Sequence, residues 1–111
     1  MKLLTKGIRK KLPPLYSGEN KRSEDIPVVV KFFDPTSSWT WYVTEGEPVL
    51  DEDGKEIDFR FFGFVRGFEN ELGYFSLKEL ESVKGPFRLG IERDMYFFGK
   101  HTLADVMAKR L

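Results

Sequence analysis

The stretch from Phe59 to Val83, FRFFGFVRGFENELGYFSLKELESV, constrains this chain more than any other. It holds six of the eleven phenylalanines. Residues 57–66 alternate: Phe59, Phe61, Gly63 and Val65 share one face of a strand, and Arg60, Phe62, Phe64 and Arg66 share the other. Gly67 and Gly73 bracket a loop, with a short extended piece from Gly73 to Phe75. Ser76 and Glu79 then stand at capping-box spacing, with Phe75 and Leu80 placed for a hydrophobic staple. Leu77, Leu80 and Val83 fall on one helical face, and Gly85-Pro86 stops the helix after about two turns. A helix this short is marginal alone in water, so it must dock on an apolar surface. The aromatic strand just before it is the nearest platform.

The other elements follow from local signals. Thr5 can cap a first helix whose stripe is Leu4, Ile8 and Leu12, ended by Pro13-Pro14. Residues 16–25 are polar and turn-like. Ile26 to Phe33, IPVVVKFF, is β-branched and aromatic with little alternation, as in a strand covered on both faces. Asp34-Pro35 with Ser37 and Ser38 makes a turn. In the next strand, from Trp39 to Glu45, Trp39, Trp41 and Val43 oppose Thr40, Tyr42 and Thr44. Asp53-Gly54 marks a hairpin. A further strand lies between Leu89 and Phe98, within IERDMYFF. Thr102 caps a last helix with Asp105 in its first turn and a stripe of Leu103, Val106, Met107 and Leu111. The expectation is one α+β domain over residues 1–111: a small antiparallel sheet of about four strands, an aromatic core, and two to three short helices.

Composition narrows the function classes. An aromatic content of 15% implies a core built from rings. Eighteen basic and eighteen acidic residues cancel, so net charge favours neither nucleic acid nor membrane. Their distribution is uneven: residues 1–22 carry seven Lys/Arg against Glu19, and residues 45–58 carry seven acids against Lys55. Two solvated faces of opposite sign account for this. With no cysteine, disulfides, thiol catalysis and thiolate metal sites are excluded, and a cytoplasmic setting is compatible. The first residues do not read as a signal peptide, and no apolar run approaches the roughly 18 residues of a membrane span.

Several stretches together resemble a known family. They are LLTKGIRKKLPPLYS at Leu3–Ser17, WTWY at Trp39–Tyr42, FFG at Phe61–Gly63, ELGYFSL at Glu71–Leu77, Gly85-Pro86, and IERD at Ile91–Asp94. The chain is similar over nearly its whole length to a family of small single-domain bacterial proteins catalogued as a domain of unknown function, common on plasmids, phages and conjugative elements. The resemblance implies a bacterial cytoplasmic setting and a role in mobile-element upkeep or host defence. It brings no catalytic residue.

Candidate chemistry is sparse. His101, the only histidine, precedes the Thr102 cap and reads as a packing residue rather than a base. The acidic turn Asp51-Glu52-Asp53-Gly54 fails as a calcium loop, because a glycine at position six would put Val49 at position one, where a carboxylate is needed. Glu69, Glu71, Glu92 and Asp94 could form a carboxylate site around Arg93; a salt-bridge network is the plainer reading. Arg60 to Arg66 partly matches the RNA-recognition strand pattern, with Phe61 where glycine is expected and Gly67 where an aromatic is expected. If that face is open, Phe62 and Phe64 could stack bases and Arg60 and Arg66 could meet phosphates, with Lys6, Arg9, Lys10 and Lys11 extending the track. A buried aromatic face is the alternative. The leading expectation is a non-catalytic binding or accessory module for a protein partner, without metal or cofactor. A single-stranded nucleic-acid binder comes second, and a carboxylate-dependent enzyme third.

Overall fold

The computed structural model describes residues 2–97 and 100–109. Helices α1 (Lys6–Lys11), α2 (Leu77–Ser82) and α3 (Leu103–Met107) accompany strands β1 (Val30–Phe33), β2 (Thr40–Leu50), β3 (Glu56–Arg66), β4 (Asn70–Ser76) and β5 (Glu92–Arg93). All neighbouring strands run antiparallel, in the order β4-β3-β2-β1-β5. The chain is thus α+β, with a meander of four strands and a short fifth strand added outside β1. No described helix is long and apolar enough to cross a membrane.

The sheet has five strands rather than about four, because the stretch before the capped helix is not just a short extended piece. All of Asn70–Ser76 pairs with β3, from Arg66↔Asn70 to Arg60↔Ser76. The last strand, by contrast, shrinks to Glu92–Arg93. β1 also starts late. Pro27 forms a bridge with Thr102, and the Val28 N–H donates to the His101 carbonyl, so this segment pairs with the approach to α3 instead. Phe98 and Leu111, expected in the last strand and the last helical stripe, lie outside the described residues.

Alternation sorts the side chains into two layers. One face carries Val30, Phe32, Trp41, Val43, Phe59, Phe61 and Phe75, all buried, with Leu4 and Leu12 flanking α1 and Leu80 of α2 packed on them. Phe61 is its hub, with ring centroids 5.6 Å from Phe32, 5.2 Å from Phe59 and 5.6 Å from Phe75. The opposite face carries Tyr42 and Phe64, covered by Leu103 and Val106 of α3 together with Val28. The helix starts are built as their sequences require: Thr5 accepts from the Ile8 N–H at 3.2 Å and Ser76 from the Glu79 N–H at 3.1 Å, and Thr102 and Asp105 form a reciprocal capping box. Asp58, reaching from β3, accepts the Lys78 N–H at 3.1 Å, which ties α2 to the sheet. Gly63 is required by close packing: a Cβ there would lie 1.9 Å from the Tyr42 carbonyl oxygen.

Candidate functional site

The α3 face of the sheet is only partly roofed, and the open part is a cleft. Its construction begins with an irregularity in β2. Val43 pairs with Gly63, but Glu45 pairs with Phe62, so Thr44 is an extra residue and the strand bulges. Without the bulge, alternation would send Glu45 to the Val43 side, among the phenylalanine rings. An unpaired carboxylate there would be costly. The bulge turns Glu45 to the Phe62 side instead, and the Thr44 hydroxyl donates to the Phe62 carbonyl at 3.3 Å.

Glu45 is only 5% exposed, yet both of its oxygens are satisfied. They accept from the Tyr16 N–H at 2.8 Å and the Gly18 N–H at 2.9 Å. Glu47, next on the same face, accepts from the Leu15 N–H at 2.9 Å, and between them the Gly46 N–H donates to the Pro13 carbonyl at 3.0 Å. Four bonds therefore strap residues 13–18 onto β2. The strap holds Tyr16 in the left-handed region, at φ 72°, where a bulky side chain is uncommon.

The strap and the turn-rich segment after it form one wall of a cleft of about 390 Å³. Phe62, Leu72 and Tyr74 form the floor; Ile26, Leu103 and Met107 form the far wall. The volume lies within the range of small-ligand pockets. The Tyr74 ring is 4.9 Å from Phe62 and 6.1 Å from Tyr16, and the Arg60 guanidinium sits 4.8 Å above it. Desolvation, then the hydrogen bond with Tyr16 and the negative charge of Glu45, hold the Tyr74 hydroxyl above its usual pKa; Arg60 pulls the other way. The cleft can accept an apolar or aromatic group against a ring floor, with the tyrosines, Glu19 and Lys21 on its lining and the Arg60 guanidinium over Tyr74 beside it. Glu45 is committed to the strap.

The strand face singled out in the sequence is divided between open and covered. Arg60 is exposed and Phe62 is half-buried in the cleft floor. Phe64 is 5% exposed beneath α3, and Arg66 lies 5.2 Å over its ring while donating to the Val106 carbonyl at the end of α3. Lys6, Arg9, Lys10 and Lys11 belong to α1, across the sheet from Phe62. Arg9 there sits 4.9 Å over Phe59 and makes a two-pronged pair with Glu56 at 2.6 and 2.8 Å. The structure does not bring these four basic residues into one track with Arg60.

The acidic candidates are also separated. Glu69 and Glu71 lie at the β4 edge, and Glu92 and Asp94 at the β5 edge, with three strands between. Asp94 pairs with Lys31 at 3.3 Å, and Arg93 donates to the Lys2 and Leu3 carbonyls. Among the described residues no group of three or more His, Asp or Glu could hold a metal ion. The His101 ring packs 5.3 Å from Phe97.

The sequence alone assigns no site role to Tyr16, Glu47, Leu72 or Tyr74, and places Thr44, Glu45 and Met107 only as strand and helix positions. One signal was present for two of them: Glu45 and Glu47 occupy the phase that Trp41 and Val43 begin, and a charge in a buried phase marks a bulge.

No curated protein and no solved structure matches the chain. A family model does, over residues 3–109. With nearly every residue inside that match, the chain belongs to the family described as "Protein of unknown function (DUF2958)".

Proposed function

We propose that this protein is a small non-catalytic binding module whose cleft receives an apolar segment of a protein partner. The carrying observation is the cleft itself: a floor of Phe62, Leu72 and Tyr74, walls of Tyr16, Ile26, Leu103 and Met107, and a buried carboxylate, Glu45, whose two oxygens each accept a backbone N–H. A site for proton transfer needs an acid or base free to meet its substrate, whereas an apolar pocket needs shape and rings. Within that lining Tyr16, Leu72, Tyr74 and Met107 keep part of their surface exposed, and tyrosine and methionine are enriched where proteins meet. A cytoplasmic accessory role tied to mobile genetic elements fits the resemblance to plasmid- and phage-borne proteins.

Binding of single-stranded nucleic acid is the second reading, favoured by the stack of Arg60 on Tyr74 beside Phe62. One experiment separates the two. The chain is used as bait in host lysate, with and without nuclease, beside Met107→Arg, which puts a charge in the far wall of the cleft. A partner whose capture survives nuclease and falls at least tenfold with Met107→Arg is the expected result. Capture abolished by nuclease moves the assignment to nucleic acid. Capture indifferent to both treatments removes the cleft from the function.

A further inference from the structure

Strand β4 ends the sheet, and its outer edge is built for pairing. At the tip of the β3–β4 hairpin the Gly67 N–H donates to the Glu69 carbonyl at 3.0 Å. The register continues through Val65↔Glu71, Gly63↔Gly73 and Phe61↔Phe75. Hydrogen-bonded and non-bonded pairs alternate in an antiparallel ladder. Glu71, Gly73 and Phe75 therefore bond to β3, and the backbone groups of Asn70, Leu72 and Tyr74 face outward, together with the Ser76 N–H; the Ser76 carbonyl already opens the hydrogen-bond run of α2. Exposed edges are usually blunted by proline, lysine or a bulge. β4 carries one exposed charge, Glu71, but no proline, lysine or bulge: its sequence is NELGYFS, and its pairing with β3 runs without a register shift. Leu72 and Tyr74 remain 45% and 43% exposed.

Gly73 sits at the middle of the strand, and about it β4 is self-complementary: with a second copy paired antiparallel there, no charge would oppose a like charge. We propose that β4 pairs antiparallel with β4 of a second copy, about a two-fold axis through Gly73, joining two five-stranded sheets into one. In this register Leu72 faces Tyr74 of the other copy, twice, and forms an aliphatic–aromatic pair on the cleft side of the sheet. Asn70 faces Ser76, Glu71 faces Phe75 with no like charge opposite, and Gly73 faces itself. Leu72 and Tyr74 meet as hydrogen-bonded pairs, the Ser76 N–H adds a bond to Asn70 at each end, and Gly73 sits in the closer, non-bonded pair, where Cα atoms approach to about 4.5 Å. Leu72 and Tyr74 also belong to the cleft floor, so the second copy would bring its own Leu72 and Tyr74 alongside that floor.

The test is sedimentation and light scattering at about 100 µM, where an association with a low-micromolar Kd is close to complete. Twice the chain mass of 13.0 kDa is expected for the wild type. Leu72→Pro removes only an outward N–H, which an edge strand tolerates, and should give the single-chain mass with an unchanged far-UV spectrum. If that variant fails to fold, Tyr74→Lys, which keeps the backbone intact, should give the single-chain mass in its place. The register has its own readout. The chain has no cysteine, so Gly73→Cys should oxidise to a self-linked dimer at low micromolar concentration, and Asp53→Cys in the distant hairpin turn should not. A wild-type mass of 13.0 kDa at the highest concentration, or a dimer that ignores both edge variants while Gly73→Cys stays unlinked, overturns the proposal.

Discussion

Glu45 shows how one residue can organise a site without doing chemistry. Its two backbone donors come from residues 27 and 29 positions earlier, so a single carboxylate fixes a long-range loop. Hydrogen bonds to a charged acceptor contribute about 1.5–3 kcal/mol, and stranding buried donors costs about 1–3 kcal/mol each. Glu45→Ala should therefore lower the stability by about 2–4 kcal/mol in urea melts. It should also free Tyr16 from its left-handed conformation. A midpoint shift worth less than about 0.5 kcal/mol would show that the strap is not held by this residue.

At the level of elements, α2 shows how a six-residue helix persists. Ser76 satisfies one free N–H of its first turn, and Asp58 of β3 satisfies another. Burial alone would raise the Asp58 pKa, but the N–H donors of Phe59 and Lys78, the Ser76 hydroxyl and the Lys78 charge outweigh it and hold the group below its ordinary value of 3.8. A carboxyl depressed in the folded state contributes stability that is complete above its unfolded pKa and is lost as pH falls through the folded pKa. Stability should thus fall on the acid side of the ordinary carboxylate range, and Asp58→Asn should flatten that fall while leaving the slope near neutral pH unchanged. Identical acid-side slopes in wild type and variant would disconnect Asp58 from the docking of α2. The capping signal at Ser76 was visible in the sequence because it is local. Asp58 was not, because nothing local tells a strand residue which helix amide it will meet 20 positions later.

Across the whole molecule the two sides of the sheet are unequally secured. One carries the phenylalanine cluster around Phe61 under α1 and α2; the other rests on the five residues of α3, with Leu103 and Val106 buried. A helix of that length has little stability of its own. Local opening draws on the regions with the fewest buried contacts. Amides of β2 and β3 near Val43 and Phe61 should exchange slowest with deuterium, and those of α3 should exchange at least tenfold faster. Equal protection of α3 and β3 would mean that the sheet and its roof open as one unit.

What the sequence by itself determined was set by near neighbours and by period: the alternation of β2 and β3, the caps at Thr5, Ser76 and Thr102, the Asp53-Gly54 turn, and the ring-built core. These follow from backbone geometry and burial within a few residues. Tertiary structure decided the rest. Whether Phe64 is a platform or a core residue depends on where α3 lands, and Arg66 caps that helix only because Val106 arrives beside it. Whether Glu69 and Glu71 can meet Glu92 and Asp94 depends on strand order, which puts them at opposite edges. The cleft exists because a one-residue bulge turned Glu45 toward a loop nearly thirty residues away. Such pairings trade loop-closure entropy against contacts that form only in the folded chain, so no window of the sequence carries them.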